Sequence, residues 1–286
     1  MSLIKSTGGK KVNLDFNKDF ITIFSDKIKT GDLKFINQTL KDLHPSDVAN
    51  LIENLSADTR AKLIEIEEFN IDPEIFIEIN DSIQSEVLQL LSTDSIAKIL
   101  KRLESDNSIA ILENLESTKK KSVLDKLPPK DRFLLEEGLS YPEDSAARIM
   151  QREFTAVPSD WSVGQTIDYL RESKDLPDEF LEIFIVDNDF KPIGTVPSSR
   201  VLRAPRESKM SVIMREMPVL IPVNMDKEEV GHTFEDYNLV SAGVINKNNK
   251  LVGMITADDA VTVVQEEAEE DVLRLAGVGD EEITDS

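Results

Sequence analysis

Several residue types are absent or scarce in this sequence of 286 residues, and each shortage removes a class of function. Cysteine is missing, which excludes disulfides, thiolate zinc sites and a cysteine nucleophile. The two histidines, His44 and His232, lie in no metal-ligand spacing, and nothing resembles a nucleophile with a general base. We expect His44 to belong to a helix entry and His232 to be a surface or partly buried helix residue. The eleven glycines are scattered singly and form no phosphate-cradling loop. The sequence therefore predicts a protein that is not an enzyme.

Basic residues are few relative to acidic ones: 33 Lys and Arg stand against 55 Asp and Glu, for a net charge of −22. A surface that negative repels phosphate backbones, so the sequence predicts no nucleic-acid partner. It attracts cations instead. No apolar run approaches the roughly 18–20 residues of a membrane-spanning helix, and no signal peptide is visible. We expect a soluble chain, and its ends, "MSL" and "GDEEITDS", suggest a fragment of a larger protein.

Residues 20–137 carry the pattern of short amphipathic helices. Proline occurs only near segment ends, glycine is almost missing, and apolar residues recur at spacings of three and four. Three segments resemble one another in a Ser, Asp or Asn start followed by an aliphatic stripe: "SDVANLIENL" (46–55), "DSIAKILKRL" (94–103) and "NSIAILENL" (107–115). Short helices that each open with a capping side chain favour stacked pairs in a superhelix. A generic helical bundle is the alternative.

A long internal repeat begins near residue 138. Residues 147–170 align with 211–234 at a constant offset of 64, and residues 181–196 pair with 241–255. In the second pairing, both copies read as an apolar strand, a polar turn and a second strand containing glycine. Each copy therefore predicts strand, helix, strand, strand, helix. Two copies form one module, because neither half would bury its sheet faces alone.

The tandem repeat resembles a CBS pair, with "LVGMITADDAV" (251–261) as its last strand running into the closing helix. CBS pairs commonly bind adenine nucleotides and commonly dimerise. A helical repeat domain, then "YPEDSAARIM" (141–150), then a CBS pair with an acidic closing helix resembles the cytosolic part of an MgtE-type magnesium transporter. The resemblance covers about residues 20–280. In that family a plug helix and a five-helix transmembrane domain follow.

The resemblance implies a fold class of α plus α/β: an all-helical superhelical repeat domain followed by a tandem CBS (Bateman) module. The predicted boundaries are 1–19 for a tag or disordered start, 20–137 for the helical N domain, 138–204 for the first CBS unit, 205–275 for the second, and 276–286 for an acidic tail that leads to an absent plug helix and membrane domain.

The segment "ITADDAVTVVQEEAEED" (255–271) concentrates negative charge at the end of the second CBS unit. On a helix, Glu266 and Glu270 share one face, and Glu267 and Asp271 share an adjoining one. Mg²⁺ is usually held by one or two carboxylates together with retained waters, so such pairs suit it. A solvated acidic face is the alternative that the composition alone favours.

The resemblance turns these acids into candidate Mg²⁺ ligands, because carboxylates of the N domain and of the CBS pair face each other across bridging ions in that family. The matching positions are Glu74, Asp94, Asp226, Glu228, Asp259, Glu267, Glu270 and Asp271. Three positions depart from the family pattern by replacing an acid: Lys98, Asn238 and Thr262. We expect one bridging site to be weaker or absent, since Lys98 brings its own positive charge.

The resemblance also implies an adenine-nucleotide site, ATP included. Thr256 and Asp259 match the CBS contacts to ribose in the second unit. Arg200 occupies the Asp position of the first unit, where it cannot accept bonds from ribose hydroxyls but could meet a phosphate. Asp259 is thus a candidate contact for both Mg²⁺ and the nucleotide ribose, and we favour Mg²⁺.

The leading hypothesis is a Mg²⁺-sensing region that gates a magnesium transporter at the cytoplasmic face of the cell membrane. Its implied partners are a second copy, bound through the CBS domains, and its own transmembrane domain. At low Mg²⁺ the facing carboxylates repel and the channel can open; at high Mg²⁺ the ions favour a closed state. The alternative is a CBS nucleotide sensor joined to a helical protein-interaction domain without a transport role.

Overall fold

The structure, a computed structural model, describes residues 16, 18–67, 72–177, 179–217 and 219–275. The predicted start, 1–19, lies largely outside the described residues, and the predicted acidic tail, 276–286, lies entirely outside them. The chain divides into two compact units. The first, here the helical unit, runs up to Leu103 and includes Ala110–Pro129; the second, here the α/β unit, comprises Glu104–Ile109 and the chain from Lys130 onward.

The helical unit is built from short α-helices, as the spacing of apolar residues predicts. They are α1 (Lys18–Thr30), α2 (Leu33–Asp42), α3 (Pro45–Glu53), α4 (Ala57–Glu67), α5 (Glu74–Glu78), α6 (Asp81–Leu90), α7 (Thr93–Leu100) and α9 (Ser117–Leu124). The intervening α8 (Ser105–Glu113) begins in the α/β unit and ends in the helical unit. Apolar side chains such as Phe24, Phe76 and Leu51 are fully or almost fully buried in the core of the helical unit.

Capping side chains open several of these helices, and in α3 and α7 the cap lies two residues earlier than the sequence repeats predict. The helix α3 begins at Pro45, whose fixed φ suits the first helical position, and the His44 imidazole accepts from the Ser46 amide. Ser92 caps α7 by accepting from the Ser95 amide. Ser46 and Asp94 therefore lie inside the first turn, and His44 belongs to a helix entry, as expected.

The carboxyl end of α6 is closed by a lysine from α9. The Lys119 ammonium donates to the carbonyl oxygens of Leu88, Gln89 and Leu91 at 2.8, 3.0 and 2.8 Å. These carbonyls belong to the last turn, where no intrahelical donor reaches them. Burial lowers the pKa of Lys119. One side chain thus satisfies three acceptors and ties α9 to α6.

The α/β unit contains two copies of the predicted order of strand, helix, strand, strand, helix, and this prediction is confirmed. After α10 (Pro129–Leu139), the first copy is β1 (Ala156–Pro158), α11 (Val163–Glu172), β2 (Glu182–Val186), β3 (Pro192–Pro197) and α12 (Ser198–Arg203). A short helix, α13 (Met210–Ile213), precedes the second copy: β4 (Leu220–Pro222), α14 (Lys227–Tyr237), β5 (Ser241–Ile245), β6 (Leu251–Thr256) and α15 (Ala257–Leu275).

Each copy forms a three-stranded sheet in which the first strand is parallel and the third antiparallel to the second. The two copies also exchange backbone pairing. Gln151, which precedes β1, pairs with Met254 of β6, and Arg215, which precedes β4, pairs with Thr195 of β3. Each sheet is therefore extended by the lead-in segment of the other copy, which explains why the two copies fold as one module.

The described helices include none that is both long enough and apolar enough to span a bilayer.

Lys119→Met should destabilise the helical unit. Methionine keeps the aliphatic stem but leaves three carbonyls at the end of α6 without their donor, a loss of about 1–3 kcal/mol of unfolding free energy. Urea unfolding followed by far-ultraviolet circular dichroism measures it. Lys121→Met, an exposed position on the same helix, is the control, and an equal effect of both substitutions would contradict the capping role.

Candidate functional site

Four carboxylates of the α/β unit gather where α8 and α15 begin, and we name them the carboxylate cluster: Glu104, Asp106, Glu153 and Asp259. Glu104 and Asp106 flank the first residue of α8, and Glu153 lies just before β1. Asp259 lies in the first turn of α15, three residues after β6 ends at Thr256. The pKa of Asp106 is raised by burial first and then by the charges of Asp259, Glu104 and Glu153.

Neutral donors hold the cluster together. The Oδ2 atom of Asp259 accepts from the Thr256 hydroxyl, from the Thr256 amide at 3.3 Å and from the Gln151 side-chain amide at 3.1 Å. The same Gln151 nitrogen lies 3.0 Å from Oε2 of Glu104. Oε2 of Glu153 accepts from the Ser105 amide and hydroxyl at 3.1 and 2.8 Å. The start of α8 is therefore bound to the segment before β1 and to α15.

Asp106 is the least satisfied member of the cluster. Its residue is 8% exposed, and its Oδ1 atom is buried without a hydrogen-bond partner among the described residues. Burial raises the pKa of Asp106 well above its usual value, and the neighbouring Asp259 raises it further. Burial also raises the pKa of Asp259, although hydrogen bonds from Thr256 and with Asp106 oppose that shift. Two facing carboxyls thus disfavour simultaneous ionisation.

A hard cation fits this donor set. A buried carboxylate oxygen without a donor and a second carboxylate beside it are both stabilised by positive charge. Mg²⁺ needs only one or two carboxylates because it keeps several waters. Among the described residues no group of three or more acidic or histidine side chains already surrounds a point that could hold a metal ion. The fit is therefore to a partly hydrated ion at the Asp106–Asp259 pair and not to a closed protein cage.

A second acidic contact joins α14 to α15. Glu228, in the first turn of α14, lies within hydrogen-bonding reach of Glu267. Partial burial raises the pKa of Glu267, the Glu228 carboxylate raises it further, and Lys227 opposes the shift. The helices approach closely because Gly231 has no side chain: a Cβ there would lie 2.7 Å from a methyl of Val264. Glu228 and Glu267, which the sequence comparison assigns to separate parts of the candidate ligand set, therefore lie close together.

The other predicted ligands have different surroundings. Asp94 lies in the helical unit, 66% exposed at its side chain, in an ion pair with Lys126 at 2.6 Å. Glu74 is exposed at the start of α5. Asp226 is the N-cap of α14 and accepts from the Glu228 amide at 2.9 Å. Glu270 and Asp271 both lie beside Arg274. Their assignment as ligands stays a prediction.

The residues that depart from the family pattern have local roles. Asn238 ends α14 in the left-handed conformation, with φ of 49°, which asparagine adopts more readily than most residues. The Thr262 hydroxyl donates to the Asp258 carbonyl at 3.1 Å. Arg200 donates to the Ile213 carbonyl at 2.9 Å. Thr256 and Asp259, the predicted ribose contacts, are hydrogen-bonded to each other.

Sequence reasoning missed Glu104, Asp106 and Glu153. The repeat did contain a signal, because "DSIA" at residues 94–97 aligns with "NSIA" at residues 107–110, so Asp106 immediately precedes the position that matches Asp94. Each helical repeat begins with Ser, Asp or Asn, and the spacing alone does not say which of these helix starts contacts Asp259. That choice depends on a contact across 153 positions of sequence, which only the fold supplies.

The domain order now has counterparts among known proteins. Residues 43–144 match the sequence model of the MgtE intracellular N domain, and residues 146–207 and 210–266 match the CBS domain. The fold and the repeat thus define a CBS-pair protein with a helical N-terminal domain. The chain thus combines the two domains that these models describe, a helical N domain similar to that of MgtE proteins and a CBS pair.

The chain also matches part of the length of curated relatives. Magnesium transporter MgtE of Enterococcus faecalis is 26% identical over 152 residues, and that of Thermus thermophilus is 28% identical over 152 residues. Each match covers 53% of this chain and 34% of the relative, so the matched part spans about a third of those proteins.

Solved structures show the same fold. A crystal structure of the cytosolic domain of the Mg²⁺ channel MgtE in complex with ATP gives a TM-score of 0.76 at 22% identity and covers 85% of this chain and 99% of that one. The soluble part of a magnesium transporter gives 0.73 at 20% identity and covers 87% and 98%. The predicted fold class, a helical N domain followed by a CBS pair, is confirmed.

Asp106→Asn should stabilise the α/β unit at neutral pH in the presence of a chelator. The raised folded pKa of Asp106 means that the folded state binds more protons than the unfolded chain from about pH 4 up to that pKa. Wild-type stability is therefore fully present below pH ~4 and is lost as pH rises through the folded pKa. The asparagine variant lacks that loss, and we expect a gain of about 1–3 kcal/mol at pH 7 that vanishes in acid.

The single tryptophan, Trp161, belongs to the α/β unit and stacks edge-on against Tyr169, so its fluorescence reports the unfolding of that unit. Asp94→Asn, at an exposed ion pair, is the matched control and should change little. A gain that persists unchanged at low pH would rule out the charge of Asp106 as its cause.

Proposed function

We propose that this chain is the Mg²⁺-sensing regulatory region of an MgtE-type magnesium transporter. The observation that carries the proposal is the carboxylate cluster. Glu104 and Asp106 fall inside the match to the MgtE intracellular N domain, yet they belong to the compact α/β unit and face Asp259 of the second CBS domain. N-domain and CBS carboxylates therefore meet at a partly buried position that holds an unpaired oxygen.

Charge repulsion is the proposed sensing element. Without a cation, ionised Asp106 and Asp259 repel each other, and so do Glu228 and Glu267. A bound Mg²⁺ reverses the sign of each interaction and favours the arrangement in which the carboxylates are close. The ion shifts the equilibrium only by its differential affinity for the two arrangements. Several sites of modest affinity acting together give a steep response to concentration.

The wider setting of the proposal follows the family. The region acts at the cytoplasmic face of the membrane, as a homodimer through its CBS domains, and gates its own transmembrane domain, where bridging Mg²⁺ favours the closed state. Its role is regulatory and not catalytic, and Mg²⁺ is both its signal and the cargo of the transporter. The relatives named magnesium transporter and the shared domain order support this setting.

Adenine-nucleotide sensing is the second candidate. It is favoured by one observation, the ATP complex of a structurally similar MgtE cytosolic domain. In this chain Thr256 and Asp259 are retained but bonded to each other, and Arg200 replaces the acid of the first unit. We therefore place Mg²⁺ first, and an ATP titration in parallel with each experiment below separates the two functions.

Millimolar Mg²⁺ should compact this chain. Solution scattering is expected to show a smaller radius of gyration as Mg²⁺ is added, and the segment 127–144 should become resistant to protease. The physical reason is the replacement of carboxylate repulsion by bridging ions. An unchanged radius and cleavage pattern across the titration would contradict the sensor function, and a response to ATP alone would favour the second candidate.

Asp259→Lys should blunt the Mg²⁺ response, because it places a permanent positive charge against Asp106 and removes a ligand. We expect compaction without added Mg²⁺ and little further change during the titration. Asp189→Lys is the matched charge reversal at a carboxylate that is 73% exposed at its side chain and lies in the turn between β2 and β3. Equal responses from the two variants would remove Asp259 from the proposed ligands.

A further inference from the structure

Gln151 occupies a position in the carboxylate cluster that none of the sequence patterns singled out. It is 3% exposed, and its backbone is fixed by two hydrogen bonds with Met254 of β6, at 2.7 and 2.9 Å. Its side-chain nitrogen lies 3.0 Å from Oε2 of Glu104 and 3.1 Å from Oδ2 of Asp259. A primary amide has two N–H groups, so one glutamine donates to both carboxylates.

The two hydrogen bonds from the Gln151 amide to Glu104 and Asp259 differ chemically from a salt bridge. A lysine or arginine at position 151 would neutralise the acids permanently and remove the site's attraction for a cation. The amide offsets part of the repulsion between Glu104 and Asp259, yet it leaves the cluster's net negative charge intact. Because strand pairing fixes its backbone, Gln151 holds the two carboxylates at a set separation instead of following them.

We propose that Gln151 is a positioning residue that presets the spacing of Glu104 and Asp259 and thereby sets the Mg²⁺ concentration at which the carboxylate cluster fills. The inference rests on the proposed function and adds the residue that tunes its response to Mg²⁺. Preorganised ligands lose less entropy and overcome less repulsion when the ion binds, so the amide lowers the concentration required. Asp106, with its free Oδ1 atom, then meets an Asp259 that is already in place.

The test follows hydrogen exchange of residues 104–109 as MgCl₂ is added to the full 286-residue chain. The Ser105 amide donates to Glu153 within the cluster, so its protection reports the closed arrangement directly. In the wild type, protection should rise and saturate. Gln151→Met should raise the half-saturating concentration about tenfold, the scale of one lost hydrogen bond to a charged group. Gln151→Lys should be protected without Mg²⁺ and should not respond to it.

Two controls separate positioning from mere stability. Gln84→Met alters a glutamine of similar burial, 6% exposed, in the helical unit and should leave the half-saturating concentration unchanged. Glu104→Gln removes the charge that the amide offsets, so adding Gln151→Met in that background should shift the half-saturating concentration by less than about threefold. A tenfold shift in both backgrounds would mean a structural role only and would overturn the inference.

The outcomes distinguish this inference from the proposed function. A wild type without Mg²⁺-dependent protection overturns both. A responsive wild type whose half-saturating concentration is matched by Gln151→Met overturns the positioning role alone. A Gln151→Lys variant that still responds to Mg²⁺ also overturns the positioning role alone, because a fixed positive charge at that position should replace the ion.

Discussion

Like charges held at short range are the constraint on which the α/β unit depends. Two unit charges about 4 Å apart repel by about 1 kcal/mol in water and by about 4 kcal/mol near a protein surface. Neutral donors from Ser105, Gln151 and Thr256 hydrogen-bond to Glu153, Glu104 and Asp259 and offset part of this repulsion. The acids are therefore kept in position while their charge stays available, which is the condition a reversible cation sensor requires.

The exchange of lead-in segments between the two repeats explains why the cluster forms at one end of the module. Gln151 reaches Asp259 because it pairs with β6 of the other repeat, and Arg215 holds the equivalent place against β3. The third residue beyond β3 is Arg200, whereas the third beyond β6 is Asp259. One backbone scaffold thus presents glutamine and aspartate at one end and two arginines at the other. The chemistry of each end is decided by side chains and not by the fold.

The elements that the sequence predicts well are those that depend on local periodicity. The two repeats of strand, helix, strand, strand, helix and the short helices of the N domain follow from apolar spacing and match the structure. The partner of Asp259 is harder to predict, because Asp94 begins one helical repeat and Asp106 immediately precedes the next, so the two carry similar local signals. Asp94 lies beside Lys126, and that pairing, like the one between Asp106 and Asp259, is a tertiary contact without a sequence period.

The total charge of −22 overstates the charge that responds to a cation. Asp94 lies beside Lys126, and Glu270 and Asp271 lie beside Arg274, so a cation at those positions competes with an attraction already present. Asp226 is engaged as a helix cap. By contrast, Asp106 faces Asp259 and Glu228 faces Glu267, so a cation there relieves a repulsion. A bound cation would therefore gain the most free energy where two acids meet, and in the proposed sensor the response to Mg²⁺ depends on those pairs and not on the density of acidic residues along α15.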